Sequence, residues 1–203
     1  MSEYNLKTGD LILFDNAGCN VFSQLIKYFT GSEITHVGII LKDPDFIEKP
    51  LKGYYVWESG WEGEPDPQDG NIKFGVQITP LDEICDKYKQ GGSGIFIKRI
   101  NCPPSYFNTK KLKEIHSVVY DKIYDCFPPD LILAIMRKDK HPQKTSRFWC
   151  SALAAYIYTQ CNILVSTTDW SVIRPVDFVS NKGSKGLDFI NHTLLEDMFQ
   201  IYV

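Results

Sequence analysis

"CSALAAYIYTQC", residues 150–161, decides how the second half of the chain is built. Leu153, Ile157 and Cys161 fall on one stripe of a helix and Cys150, Ala154 and Tyr158 on another, so the segment predicts a central, buried helix. The polar "KTSR" just upstream is turn-like and puts the helix start beside Cys150. A thiol there sits in the field of a helix N-terminus, one of the settings that lowers a cysteine pKa from ~8.5 to roughly 3.5–7.5. Its backbone N–H is also one of the first-turn donors without an intrahelical partner. Cys150 is therefore a candidate nucleophile with an oxyanion donor attached. The alternative is a small buried thiol without chemistry, and Cys19, Cys85, Cys102, Cys126 and Cys161, which lack such a helix start, take that reading.

Upstream the hydrophobic period changes. Apolar runs of strand character occur at "LILFD" (11–15), "HVGIIL" (36–41), "YYVWES" (54–59), "FGVQITPL" (74–81) and "GIFIKRI" (94–100), all in the first half. Between the first two, "VFSQLIKYFTG" (21–31) spaces Phe22, Leu25, Ile26 and Phe29 as a helix ending at Gly31, a residue suited to a left-handed C-cap. "NTKKLKEIHSVVYDKIYD" (108–125) predicts an amphipathic helix with Asn108 as N-cap and Leu112, Ile115, Val119 and Ile123 on one face. "DLILAIMRKD" (130–139) predicts a short helix behind Pro128 and Pro129. A sheet-rich half packed on a helix-rich half is α+β, and 203 residues suit one domain over 1–203.

A net charge of -3 gives no attraction toward phosphate backbones, which argues against a nucleic-acid partner. The start "MSEYNLKTGD" lacks the features of a secretory signal, and no run of about 18 apolar residues occurs. The expectation is a soluble, intracellular protein with reduced thiols. No cofactor is expected, and no two histidines or cysteines stand at metal-ligand spacing.

A thiol nucleophile needs a base. His116 lies in mid-helix, His141 in the basic connector "RKDKHPQKTSR", and His192 near the end, whereas His36 opens a strand, a rigid place from which to aim an imidazole. A strand-edge histidine without function is the competing reading. If "HVGIIL" and "YYVWES" pair across a loop 42–53 with 40 opposite 54 and 38 opposite 56, His36 faces Glu58. Directly opposed side chains have Cβ atoms roughly 4.5–5.5 Å apart, so the carboxylate would orient the ring. A one-residue slip would send Glu58 to the other face, and a solvated strand-end carboxylate is its competing reading. Trp57 and Trp61 flank Glu58; alternation directs Trp57 toward the core, leaving Trp61 as a candidate substrate-binding wall.

"KTGDLILF", "FSQLIKYFTGSEITHVGIIL", "YYVWESG", "YDCFPPDL" and "FWCSALAAYIY" resemble the circularly permuted branch of the NlpC-like papain-fold cysteine hydrolases, over about Lys7 to Asp177. That branch has bacterial members and relatives in poxviruses and giant DNA viruses. In it the histidine strand precedes the cysteine helix, the order found here. The resemblance implies a permuted papain-like fold with Cys150 as nucleophile, His36 as base and Glu58 as the polar third member. It also makes Tyr124 similar to a tyrosine that donates to the oxyanion in non-permuted relatives; its spacing from the cysteine is wider here, and a core tyrosine is the other reading. The expected activity is hydrolysis of an amide, peptide or isopeptide bond through a thioester. A lipid acyltransferase or thioesterase on the same scaffold, or a silent binding fold, are the alternatives. Candidate partners are a peptide, a protein conjugate or an acyl lipid, with a weak membrane-surface contact through the basic connector. If the chain is viral, a place in the virion is an added expectation; oligomeric state is not legible.

Overall fold

The structure, a computed structural model, describes residues 4–15, 31–124, 145–180 and 187–201. Eight strands form one sheet in the order β10-β5-β1-β2-β3-β4-β7-β8, and β6 (Ile100–Asn101) pairs separately with β9 (Leu194–Leu195). The sheet members are β1 (Leu11–Asp15), β2 (Ile34–Lys42), β3 (Tyr54–Pro65), β4 (Ile72–Pro80), β5 (Ile95–Lys98), β7 (Ile123–Tyr124), β8 (Arg147–Phe148) and β10 (Phe199–Ile201). All neighbours are antiparallel except β7 and β8, which run parallel. Among the described residues three α-helices accompany them: α1 (Leu81–Gln90), α2 (Thr109–Val119) and α3 (Cys150–Gln160). The class is α+β, as expected.

Alternation along the strands feeds two cores. Leu11, Leu13, Val37, Ile39, Trp57, Val76 and Ile78 pack with α2 and α3. Ile12, Phe14, Ile40, Val56, Ile95 and Ile97 pack with Leu81, Ile84 and Cys85 of α1. Burial on both sides explains why β2 reads as an almost continuous apolar run. α3 is buried from Cys150 through Thr159, which accounts for its two apolar stripes.

Several boundaries differ from the sequence reading. α2 is capped as expected, Asn108 Oδ1 accepting from the Lys111 N–H at 3.0 Å, but it ends at Val119. Asp121 takes φ 56, a conformation that leaves the helix, and Ile123 enters β7 exposed instead of facing the core. α1 was not anticipated. The helix expected at 21–31 lies outside the described residues apart from Gly31, whose φ of 62 suits the C-cap expected of it, and the helix expected at 130–139 lies wholly outside them. Among the described residues no helix is long and apolar enough to cross a membrane.

Candidate functional site

The β2–β3 ladder pairs Ile39 with Trp57, Ile40 with Val56 and Lys42 with Tyr54, two residues away from the expected register. The hairpin mouth decides this. Asp43, at φ 49, donates its N–H to the Gly53 carbonyl at 2.8 Å, and its Oδ1 accepts from the Gly53 N–H at 2.9 Å, which draws Lys42 into the strand. A shift of two keeps every side chain on its face. Gly38 thus lies beside Glu58, and a Cβ placed on Gly60 would stand 3.4 Å from His36 Cε1. His36 and Glu58 are diagonal neighbours, and the glycine beside the ring gives it room to reach across.

His36 Nε2 lies 2.6 Å from Glu58 Oε2. Glu58 is fully buried, and its other oxygen accepts from Thr79 Oγ1 at 2.8 Å. Both oxygens of this buried carboxyl group therefore have hydrogen-bond partners, which offsets part of the cost of burying it. The Cys150 thiol is near enough to the imidazole to influence its titration. Burial pulls the His36 pKa down, but Cys150, followed by Glu58, outweighs it and holds the imidazolium well above the ordinary histidine range.

Cys150 arrives from β8. Tyr124 pairs with Phe148 in the parallel β7–β8 contact, and Ser59, next to Glu58, donates its hydroxyl to the Phe148 carbonyl at 2.6 Å. That bond ties the carboxylate strand to the residue two places before the thiol. Trp149, the N-cap, has extended backbone and supplies no side-chain acceptor, while Ser151 Oγ donates to the Ile173 carbonyl at 2.7 Å and holds the first turn of α3.

Glu62, at the next position but one after Gly60, faces the same region. Burial and the Glu58 charge push its pKa up to about 7, although Lys87 Nζ lies 2.8 Å away. Lys87 also donates to the carbonyls of Trp61 and Glu62, pinning the last turn of α1 to β3. Tyr88, next in that turn, stacks on Phe14 with ring centroids 4.0 Å apart and lies nearly parallel to His36 at 6.1 Å.

The remaining candidates sit elsewhere or nearby. Burial pushes Cys85 and Cys161 up to about 12 and Cys102 to about 11, so these thiols stay protonated. Cys19, Cys126 and His141 lie outside the described residues. His116 bonds Gln68 Oε1 at 2.6 Å beneath the 66–71 turn and packs on Phe46 and Trp57. Trp57 is buried, as alternation requires; Trp61 shares its parity and pairs with Phe74, so it points away from the Glu58 side and is 56% exposed. Tyr124 stacks on Phe74 at 5.0 Å. Thr79, Ser59, Glu62 and Tyr88 went unread in the sequence. Thr79 is diagonal to Glu58 across the β3–β4 ladder, which alternation in "FGVQITPL" marks as the Glu58 side once that register is known.

No protein-family model matches the chain. An uncharacterized protein of Acanthamoeba polyphaga mimivirus is 29% identical over 181 aligned residues, covering 78% of this chain and 68% of the relative. The crystal structure of the metalloprotein yiiX from Escherichia coli O157:H7 superposes with a TM-score of 0.43 and 18% identity, covering 76% of this chain and 66% of that one. At that level of likeness it carries no argument.

Proposed function

We propose that the chain is a cysteine hydrolase of permuted papain-like arrangement that cleaves an amide, peptide or isopeptide bond. One observation carries the reading: His36 Nε2 lies 2.6 Å from the buried Glu58 carboxylate, and the same ring is under the influence of Cys150 at the start of α3. The imidazolium stabilises the thiolate, which attacks the carbonyl carbon; charge collects on the carbonyl oxygen and is met by the free N–H donors of the first turn of α3. His36 then gives its proton to the leaving nitrogen as the C–N bond breaks, leaving a thioester on Cys150. Water, deprotonated by His36, attacks the thioester, and the acid and the thiolate are restored. Glu58 holds the ring and favours its charged form throughout.

A lipid acyltransferase or thioesterase would use the same thioester.

The test is labelling with iodoacetamide at about pH 6, where a free thiol of pKa ~8.5 is almost wholly protonated. Cys150 is expected to alkylate far faster than free cysteine, and His36→Ala to remove the advantage. Labelling at the rate of an ordinary thiol would leave the chain a binding fold. Incubation with peptide, lysine-conjugate and acyl-lipid panels, followed by the mass of the adduct on Cys150, separates the two substrate readings.

A further inference from the structure

Resting on the hydrolase reading, we infer that Glu62 is a positioning residue of the reaction: gripped by Lys87 at one oxygen, it brings a second carboxylate to the His36 ring and, with Glu58, keeps that ring charged for delivery of its proton to the leaving nitrogen. The three side chains meet at Gly60. A Cβ built there would stand 3.4 Å from His36 Cε1, 3.7 Å from Glu62 Oε1 and 3.8 Å from Glu58 Oε2, so the ring and both carboxylates of β3 converge on one point. Glu62 Oε2 lies 2.8 Å from Lys87 Nζ, and Lys87 also donates to the Trp61 and Glu62 carbonyls, which fixes the carboxylate with Oε1 on the Gly60 side. Among the described residues the titratable groups facing Glu62 are Glu58 on β3, His36 on β2, and Lys87 and Tyr88 on α1.

Signs alternate along this row: Glu58 negative, His36 positive, Glu62 negative, Lys87 positive. The two cations do not count equally. The Lys87 side chain is 46% exposed and water screens it, whereas the Glu62 side chain is 4% exposed and its field reaches the buried ring with little screening. Loss of the imidazolium proton would leave Glu58 and Glu62 facing each other around Gly60, so the charge on the ring and the charge on Glu62 favour one another. Burial, and after it the Glu58 charge, push the Glu62 pKa up to about 7, while Lys87 and His36 act downward. By linkage, what the ring does to Glu62 is equal to what Glu62 does to the ring. Above that pH two carboxylates hold the imidazolium; below it Glu58 holds it alone.

Titration of the His36 Cε1 proton by NMR, read beside alkylation of Cys150 by iodoacetamide across pH, tests this. Glu62→Gln keeps a polar contact for Lys87 and cannot ionise. In that variant the ring is expected to lose its proton on the order of one pH unit lower than in wild type, and the upper inflection of the alkylation profile to move down with it. An unmoved His36 titration overturns the inference even where the variant is less stable, because a residue that only anchors α1 would alter stability without touching the ring. A moved titration with an unmoved alkylation profile overturns it too, since the charge would then reach the ring and not the reaction. If wild-type Cys150 alkylates no faster than free cysteine, the hydrolase reading fails and this inference with it; fast alkylation in wild type with equal His36 titrations in both proteins sinks the inference alone. Should Glu62→Gln not fold, the wild-type His36 Cε1 proton must report the ionisation of Glu62 as a second inflection near pH 7, and a single inflection overturns the inference.

Discussion

Glu58 Oε2 lies 2.6 Å from His36 Nε2 although the two residues are not opposed in the β2–β3 ladder. The contact is diagonal, and Gly60 leaves the ring the space to make it. Burial pulls the His36 pKa down, and Cys150 and Glu58 together hold it well above the ordinary range.

Cys150→Ala removes the influence of the sulfur and leaves the burial. The His36 pKa is expected to fall, because burial is the largest single influence on it and acts downward. Titration of the His36 Cε1 proton by NMR reads this directly. An unmoved titration would mean that the sulfur and the ring do not form an ion pair.

Glu58→Gln preserves an acceptor and removes its charge. The imidazolium and the thiolate then lose a stabilising partner, so alkylation of Cys150 needs a higher pH and acylation slows by roughly 10²–10⁴-fold. Equal pH profiles for variant and wild type would reduce Glu58 to a packing residue.

Thr79→Val keeps the shape at Thr79 but withdraws the donor to Glu58 Oε1. An ionised oxygen left buried without a partner costs about 1–3 kcal/mol. Urea unfolding at neutral pH should show that loss, and Thr79→Ser, which keeps the hydroxyl, should recover most of it. An equal loss in both variants would point to packing instead.

Gly75 faces β7 so closely that a Cβ would collide with the Lys122 carbonyl and stand 2.8 Å from Ile123 Cα. β7 carries the parallel partner of β8, and β8 leads into Cys150. Gly75→Ala is expected to destabilise the fold by about 1–3 kcal/mol and to lower the alkylation rate with it. Destabilisation with full reactivity would separate the strand edge from the site.

The parts of this site that could be read in the sequence are those that local pattern specifies. Strand period placed His36 and Glu58 on one face, and the apolar stripes with a polar lead-in placed Cys150 at a helix start. The register depended on Asp43 and Gly53 closing the hairpin mouth, a tertiary detail of a loop with no repeating pattern. α1 was missed because it buries only Leu81, Ile84 and Cys85 between polar residues, and because Pro80 looked like the end of a strand alone. Its contribution to the site, through Lys87 and Tyr88, arises from docking on β3 and Phe14, which no spacing in "DEICDKYKQ" announces.

Glu62 gives the fold a pH dependence of its own. Its pKa is raised from 4.5 to about 7, first by burial and then by Glu58. A carboxyl with a raised folded pKa binds its proton more tightly in the native state than in the unfolded one. Its stabilising contribution is therefore full below about 4.5 and is lost as pH rises through about 7, on the order of 1 kcal/mol for each unit of difference. Glu62→Gln cannot ionise and should flatten the decline in urea-unfolding free energy across that window, while retaining a polar contact for Lys87. A decline of unchanged slope in Glu62→Gln would assign the pH dependence to other groups and leave Glu62 an ordinary partner of Lys87.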